Sequence, residues 1–287
     1  MSGPEAPTLF EQDAGQPAAE LGPTSRVAMV VAYHGGAFHG FAVNAGVRTV
    51  GGALAEATAG VLGHPVELTV AGRTDKGVHA WGNVVTFDAR SEGLDPHALR
   101  TSLNKMLRPS IAVRAVEVVD DDLDARFSAT ARVYRYTVLS RSVPDPFLAD
   151  RAWHVDRPLD LAVLRLACDP FLGTHDFTSF CRRPKRTDGA EADLRRRIVA
   201  ADWADLGDGQ LRLQIEANAF CHQMVRSIVG FMVEVGLGRR SVGEIGAVLR
   251  GRDRSLAAGR LAPPHGLVLW QVRYDDHPHL PFLGGAP

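Results

Sequence analysis

The sequence predicts an α+β protein made of two fused halves, each with the βαββαβ order of a ferredoxin-like unit. Two observations support this prediction. Segments with strand and helix patterns follow each other in this order, and the order occurs twice along the 287 residues. We expect the sheets of the two halves to lie side by side and to leave a cleft at their junction, where ligands usually bind.

The elements expected in the first half have clear start and stop signals. Residues 27–33 form a β-branched run typical of a buried strand, and residues 49–62 repeat apolar side chains with helical spacing. Asp95 is a favourable N-cap, and Pro96 is a favourable first helical residue. The predicted order is a strand at 27–33, a helix at 49–62, strands at 67–70 and 83–87, a helix that ends before Pro109, and a strand at 111–119.

The second half repeats the order of elements without a repeat in the sequence itself. An additional helix near residues 242–249 has the capping box Ser241 to Glu244 and stops at Gly251. The other predicted elements are a strand at 133–139, a helix opened by Asp160, strands at 197–203 and 211–216, a long helix at about 219–235, and a strand at 267–274.

The first residues of the chain predict a disordered, mildly acidic leader, because they contain prolines and acids without a lasting apolar period. No segment has the length and hydrophobicity of a membrane span or the pattern of a secretion signal, so we expect no membrane contact. The predicted organisation is a leader at 1–25, an N-terminal half at 26–130, a C-terminal half at 131–276 and a tail at 277–287.

The charge balance excludes binding of nucleic acid through a uniformly basic surface. The chain has 32 Lys and Arg against 33 Asp and Glu, a net charge of -1, so any polyanion site must be local. Cys168, Cys181 and Cys221 lie far apart without a CxxC pair, which predicts neither a disulfide framework nor a thiolate zinc site. The histidines also lack the spacing of a metal site. We therefore expect no metal and a cytoplasmic location.

The loop at residues 71–80, with the sequence AGRTDKGVHA, carries the densest set of reactive side chains. Its two glycines have the GxxxxG spacing of a phosphate loop, but Val78 and His79 stand where Lys and Ser/Thr are required. A strand rather than a helix follows, which disfavours a nucleotide triphosphatase. Asp75 is then either a catalytic carboxylate or a turn residue that bonds its own backbone.

The predicted helix at 219–235 is apolar on nearly every face except at Arg226. Because a buried guanidinium carries a large desolvation cost, Arg226 needs a carboxylate partner with good geometry. We expect Asp75 to be that partner and to stay ionised beside it. The alternatives are that Arg226 reaches solvent or pairs with a structural acid such as Glu216.

Two further features are typical of RNA contacts, although each also has a structural interpretation. Strand alternation puts Tyr134 and Tyr136 on one face, where a tyrosine can stack on a base or simply pack. The segments 182–186 and 195–197 bring seven basic side chains among three acids. Such a run suits phosphate contacts or a solvated surface.

These runs resemble one family. Residues 72–80 are similar to the catalytic loop of the bacterial tRNA pseudouridine synthase A family, and four separated motifs occur in the family's order. The resemblance covers about residues 26–274. The motifs beyond the loop are ARFSATARVYRY at 125–136, GTHDFTSF at 173–180, and ANAF at 217–220 with HQMVR at 222–226.

The resemblance implies two fused halves around one continuous antiparallel sheet with helices on one side, a homodimer, and conversion of uridine to pseudouridine in the tRNA anticodon arm without a cofactor. By position, Asp75 matches the catalytic aspartate, Tyr134 the base-stacking tyrosine and Arg226 the arginine that pairs with the aspartate. Arg73 matches the arginine that fills the gap left by the flipped nucleotide. The residues implied to contact tRNA are Arg126, Phe127, Arg183, Lys185 and Arg186.

The residues themselves fit this chemistry. Forming pseudouridine requires breaking the N1 glycosidic bond, rotating the retained uracil and joining C5 to the ribose, so the site needs a carboxylate, a water-poor pocket and a way to extract the base. Asp75 either attacks C1′ or removes a ribose proton, and the sequence leaves both routes open. Tyr134 holds the detached uracil by stacking in this interpretation.

The end of the first strand departs from the family pattern of Tyr-Asp-Gly and Gly-Trp-Gln, because His34, Phe41 and Ala42 replace its acid, indole and amide. These positions bear on RNA contacts and leave Asp75 unchanged. One alternative function is a non-catalytic RNA-binding protein, which would gain nothing from a carboxylate near phosphates. A deaminase would need a zinc signature that is missing here, and a glycosylase would release free uracil.

Overall fold

The computed structural model describes residues 22–183, 192–257, 259, 261–275 and 277. The predicted leader at 1–25 and tail at 277–287 therefore lie almost entirely outside the described residues. Thr24 and Ser25 are exceptions, because they already form the start of the first strand instead of the end of a leader.

The first half has the predicted βαββαβ order. Thr49 and Asp95 cap its two helices: the Thr49 side chain accepts a hydrogen bond from Gly52 N, and Asp95 accepts from His97 N and Ala98 N. The strand predicted at 67–70 is shorter than expected. The elements are β1 Thr24–Tyr33, α1 Val50–Leu62, β2 Thr69–Val70, β3 His79–Arg90, α2 Pro96–Leu107 and β4 Ile111–Val118.

The second half also follows the predicted order, with two short strands that the sequence analysis did not predict. These are β6 and β7, which lie before and after the third helix. The elements are β5 Ala131–Ser140, β6 Trp153–Val155, α3 Leu161–Leu166, β7 Gly173–Asp176, β8 Arg195–Asp205, β9 Gln210–Ala217, α4 Met224–Gly236, α5 Glu244–Gly251 and β10 Leu267–Arg273.

All ten strands belong to one sheet with the order β4-β1-β3-β10-β5-β9-β8-β7, while β2 pairs with β3 and β6 with β5. The two halves pair their strands in the same way. When the four strands of each unit are numbered along the chain, both β4-β1-β3-β2 and β10-β5-β9-β8 have the order 4-1-3-2 of a ferredoxin-like unit. The sheet is therefore continuous, as expected. Its junction is parallel rather than antiparallel, because β3 and β10 run in the same direction where they pair.

The helix predicted from residue 219 begins later, at Met224. Gln223 has φ 65° and ψ 6°, a left-handed conformation that cannot continue an α-helix, and Arg182 N donates a hydrogen bond to His222 O at 2.9 Å. Residues 219–223 are therefore a loop in front of α4. The capping pattern predicted for α5 is present in part, because Glu244 accepts from Ser241 N at 2.8 Å, but the N-cap of the helix is Gly243 rather than Ser241.

The core of the second half lies between the sheet and α4. Trp203 on β8 is fully buried and donates from Nε1 to the sulfur of Met232 on α4 at 3.3 Å. Alternation along β9 buries Leu211, Leu213, Ile215 and Ala217, and leaves the residues between them partly exposed. One face of this part of the sheet is therefore covered by packing and the other is open.

The prediction that the cysteines form no disulfide is wrong for two of the three. Cys181 and Cys221 are joined in a disulfide across 40 residues, with their Cα atoms 5.8 Å apart. Sequence distance gave no sign of this pairing, because the tertiary fold brings the segment after β7 beside the loop before α4. Cys168 is free and buried, and burial raises its pKa to about 12. Among the described residues, no helix is long and apolar enough to cross a membrane.

Candidate active site

Asp75 lies in the loop between β2 and β3, here called the Asp75 loop (residues 71–78). β3 is the innermost strand of the first half, and only β10 separates it from β5. The loop is therefore at the junction of the two halves. The side chain of Asp75 is 29% exposed, so its carboxylate is reachable from outside while neighbouring groups surround most of it.

Two polar side chains fix the Asp75 loop from the first half. Asn83 on β3 donates to Gly72 O at 2.8 Å and accepts from Gly72 N at 3.3 Å, so one amide satisfies both backbone groups of Gly72. The hydroxyls of Tyr33 and Thr74 lie 2.8 Å apart, and Asn83 also donates to Tyr33 Oη at 3.2 Å. The contacts of Tyr33 and Asn83 with the Asp75 loop were not predicted, because nothing in the local sequence shows that these two side chains meet there.

The segment after β1 packs tightly under the same loop. A Cβ on Gly35 would lie 2.0 Å from Val78 O, and a Cβ on Gly40 would lie 2.8 Å from Thr74 O. Gly40 also has φ 95°, a conformation that favours glycine. Phe41 N donates to Thr74 O at 3.1 Å and completes the contact. The backbone beside Asp75 is therefore held at a distance that only glycines permit.

Arg226 contacts Asp75, as the sequence analysis expected. Its Nη1 lies 3.3 Å from Asp75 Oδ2, its Nε donates to Ala262 O at 2.8 Å, and its side chain is only 12% exposed. Glu216 instead pairs with Arg273, whose Nε lies 2.8 Å from Oε1. The two alternatives for Arg226, solvent and Glu216, are therefore both wrong.

His222 is a second partner of Asp75 that the sequence analysis missed. Its Nε2 lies 3.3 Å from Asp75 Oδ1, so each carboxylate oxygen has its own partner. A signal was available, because His222 and Arg226 are four residues apart and such residues share a side of a helix. In the structure both side chains do contact Asp75, but His222 lies in the loop before α4 and not on the helix.

Tyr134 lies on β5 beside the Asp75 loop. It is 8% exposed, its ring meets Phe220 edge-on at 5.0 Å, and its hydroxyl would be 3.7 Å from a Cβ on Gly72. Burial, together with the nearby Tyr33 and Asp75, raises the pKa of its phenol well above the usual range. The phenol is therefore neutral at physiological pH, and its hydroxyl keeps its proton.

Arg132 joins three segments around the site, and its role was also missed. Its guanidinium donates to Ala71 O at 3.1 Å, Arg126 O at 2.7 Å, and Ala129 O and Asn218 O at 3.0 Å. These carbonyls belong to the Asp75 loop, the segment before β5 and the segment before α4. Burial lowers the pKa of Arg132 from its usual value. One side chain thus connects both halves through backbone groups alone.

The predicted RNA contacts differ in how the structure presents them. Arg73 is exposed, and no ion pair to it occurs among the described residues. Phe127 is 80% exposed, and the guanidinium of Arg126 lies 5.2 Å from its ring centroid. Arg183 is exposed. Lys185 and Arg186 lie outside the described residues.

The departures at the end of β1 are accommodated locally. His34 Nε2 lies 2.8 Å from Asp150 Oδ2, and its ring is 4.4 Å from that of His79. Phe41 is 3% exposed and packs against Tyr33 with ring centroids 6.1 Å apart, whereas Ala42 is partly exposed. Phe41 is therefore a core residue below the Asp75 loop.

No group of three His, Cys, Asp or Glu side chains in the described ranges is placed to hold a metal ion. The arrangement that does exist is an aspartate between a histidine and an arginine, next to a buried tyrosine at the junction of the two halves.

The chain belongs to the tRNA pseudouridine synthase family, a family of isomerases, because residues 29–128 and 167–275 match the family profile of that description. Relatives named tRNA pseudouridine synthase A are similar over most of the chain. Those from Bacillus velezensis and Geobacillus sp. are 40% and 39% identical, and each match covers 88% of this chain and 100% of the relative. The one from Bacillus subtilis is 38% identical with the same coverage.

Proposed function

We propose that this protein converts uridine to pseudouridine in the anticodon arm of tRNA without a cofactor, with Asp75 as the catalytic carboxylate. The observation that supports this most directly is the placement of Asp75 at the junction of the halves, with Arg226 and His222 on its two oxygens and Tyr134 beside it. The relatives named tRNA pseudouridine synthase A support the choice of substrate.

The reaction is an isomerisation, so it needs no external reactant. The N1–C1′ bond of uridine breaks, the uracil rotates, and a C5–C1′ bond forms. The C5 proton then leaves and N1 ends with a proton, which balances the atoms. Only the enzyme's own groups are required to hold the base and to move this proton.

Asp75 acts on the sugar in this proposal. Arg226 and His222 orient the carboxylate by contact with its two oxygens. The carboxylate then attacks C1′ or removes a ribose proton, and both routes use the same geometry. Tyr134 stacks on the detached uracil, and its protonated hydroxyl lies at the edge of the Asp75 loop, where it can take part in the C5 proton transfer.

Basic and aromatic residues other than Arg226, His222 and Tyr134 extract and hold the RNA. Arg73 follows Gly72 on the same loop as Asp75 and fills the space that the flipped nucleotide leaves. Arg126 and Phe127 offer a cation and an aromatic face to the RNA, and Arg183, Lys185 and Arg186 add phosphate contacts.

We also propose that the protein is a cytoplasmic homodimer. The location follows from the proposed tRNA substrate. The dimer follows from the family resemblance, and Trp81, stacked on Trp270 at 5.8 Å and 37% exposed, is a candidate contact for the second copy. Light scattering of the purified full chain tests the dimer, and a mass equal to one chain at micromolar concentration would contradict it.

The decisive experiment compares the native chain with Asp75→Asn on unmodified tRNA transcripts, without added metal or cofactor. Pseudouridine is mapped at single-base resolution, and tRNA binding is measured in parallel. We expect pseudouridine at anticodon-arm uridines with the native chain and a loss of at least about 1,000-fold with Asp75→Asn, since a residue that performs the chemistry is removed while binding remains.

Asp205→Asn is a matched control, because Asp205 is an exposed acid at the turn between β8 and β9, where it accepts from Gly207 N. It should retain activity. Tight tRNA binding without any pseudouridine from the native chain would instead favour the non-catalytic RNA-binding protein, and release of free uracil would favour a glycosylase.

A further inference from the structure

We propose that Arg254 and Arg182 form a phosphate-binding subsite beside the active site, which holds a backbone phosphate of the RNA next to the target uridine. This inference rests on the proposed function, and its central residue, Arg254, lies outside the segments that the family resemblance implies to contact tRNA. It is carried by the positions of these two arginines relative to Gln223 and His222.

Arg254 is tied to the loop that contacts the catalytic carboxylate. Its Nη2 donates to Gln223 Oε1 at 2.6 Å, a short hydrogen bond. Gln223 directly follows His222, whose Nε2 lies 3.3 Å from Asp75 Oδ1. A phosphate held at Arg254 is therefore close to the position where the ribose of the target nucleotide must meet Asp75.

The backbone of Gln223 is shaped for this contact. Gln223 has φ 65°, a conformation that is unfavourable for a residue other than glycine. It precedes α4 without capping it, because its side chain makes no cap hydrogen bond. The side chain instead holds Arg254. The unfavourable backbone conformation of Gln223 therefore accompanies a contact with the Arg254 guanidinium and not a cap on α4.

The guanidinium of Arg254 has few partners among the residues that the structure describes. No carboxylate forms an ion pair with Arg254 in the described part of the chain, and its buried Nη1 has no hydrogen-bond partner there. The neighbouring charged side chains contact other partners, since Arg252 pairs with Asp176 at 3.2 Å and Asp253 accepts from the Ser255 hydroxyl at 2.6 Å. A partly buried guanidinium in this situation favours an anion.

Arg182 adds a second positive charge at the same place. The side chain of Arg182 is exposed. Burial of Arg254 is the main cause that lowers the pKa of Arg254, and the positive charge of Arg182 is the second. Its position is fixed by the hydrogen bond from its N to His222 O at 2.9 Å and by the adjacent Cys181–Cys221 disulfide. Because like charges repel, an anion that contacts both arginines would be stabilised there.

An RNA phosphate is the anion that this arrangement fits. Guanidinium groups bind phosphate oxygens with two parallel hydrogen bonds, and phosphate contacts set the register of a protein on nucleic acid without reading its sequence. The subsite would therefore position the target nucleotide over Asp75 and would act equally on tRNAs of different sequence.

The test measures binding of an unmodified tRNA transcript at several salt concentrations with full-length Arg254→Gln and Arg182→Gln. We expect affinity about tenfold weaker for Arg254→Gln, with a log–log salt slope smaller by about 0.7 to 0.9, because one phosphate contact is lost. Arg254→Lys should keep the salt slope and lose part of the affinity, since it retains a charge without the planar fork.

Arg252→Gln is the matched control, because it removes a neighbouring arginine that is 65% exposed and already paired with Asp176. It should bind tRNA like the native chain. Native affinity and salt slope in both Arg254→Gln and Arg182→Gln would overturn the subsite. If Arg254→Gln fails to fold by circular dichroism, Arg182→Gln decides the question, since its side chain is exposed.

The outcomes also separate this inference from the proposed function. Arg254-dependent binding of tRNA by a native chain that forms no pseudouridine would support the subsite and contradict the enzyme. Pseudouridine formation with unchanged turnover and binding in the arginine variants would support the enzyme and overturn the subsite.

Discussion

At the scale of single residues, the two oxygens of Asp75 have different partners. Arg226 is nearly buried and comes from α4, whereas His222 is 44% exposed and comes from the loop before it. An exposed partner contributes little stability, because water competes for the contact. The value of His222 therefore lies in the orientation of the carboxylate rather than in folding.

Replacement of His222 tests this interpretation. We expect His222→Ala to lower kcat for pseudouridine formation about tenfold with little change in KM, because a misoriented carboxylate slows the chemical step. His222→Gln should recover most of the rate, since its amide can donate to Asp75 Oδ1. Single-turnover rates on a tRNA transcript measure both. Equal losses in the two variants would argue against an orienting role.

At the scale of elements, the site is built from loop segments of both halves that must be held together by contacts between them. Arg132 on β5 supplies most of this connection, through carbonyls of the Asp75 loop, the segment before β5 and the segment before α4. A lysine could not replace it, because one ammonium cannot reach four carbonyls in different directions.

Arg132→Met should therefore lower the free energy of unfolding by about 2 to 4 kcal/mol, since several hydrogen bonds are lost and carbonyls are left unsatisfied. Urea denaturation measures the change. Arg135→Met is the control on the same strand, because Arg135 makes one side-chain hydrogen bond, to Gln214 at 2.8 Å, and stacks over Trp270. A loss for Arg132→Met no larger than for Arg135→Met would contradict this role.

At the scale of the whole molecule, His79 links pH to stability. Its Nδ1 accepts from Gly35 N at 3.1 Å, and its Nε2 lies 3.0 Å from the carbonyls of Asp150 and His265, so the ring is held neutral. Burial is the main cause that lowers the pKa of His79 in the folded state, and the nearby His34 lowers it further. Below the unfolded pKa of about 6.5, the unfolded chain then binds more protons and stability falls.

Urea unfolding at pH 7.5 and pH 5.5 measures this dependence. We expect the native chain to be less stable at pH 5.5, and His79→Asn to lose less between the two pH values, because asparagine offers an acceptor to Gly35 N without titrating. His97→Asn, at an exposed position on α2, should behave like the native chain. The same loss in all three proteins would exclude His79 as the cause.

The sequence alone determined the order of the elements, the boundaries of most of them and the place of Asp75 in a loop between two strands. These features depend on information that is local in the chain. Strand alternation, helix periodicity and caps such as Thr49 and Asp95 act within a few residues. The Asp75–Arg226 contact was also predictable, because a buried arginine on an apolar helix requires a carboxylate.

Only the tertiary structure decided the parallel junction of β3 with β10, the Cys181–Cys221 disulfide, the contact of His222 with Asp75 and the position of Arg254. Each of these joins groups that are far apart in sequence or depends on one unusual backbone conformation, such as that of Gln223. Local patterns contain no distances between separate segments. Such contacts are set by how the two halves pack, and packing is a property of the folded chain as a whole.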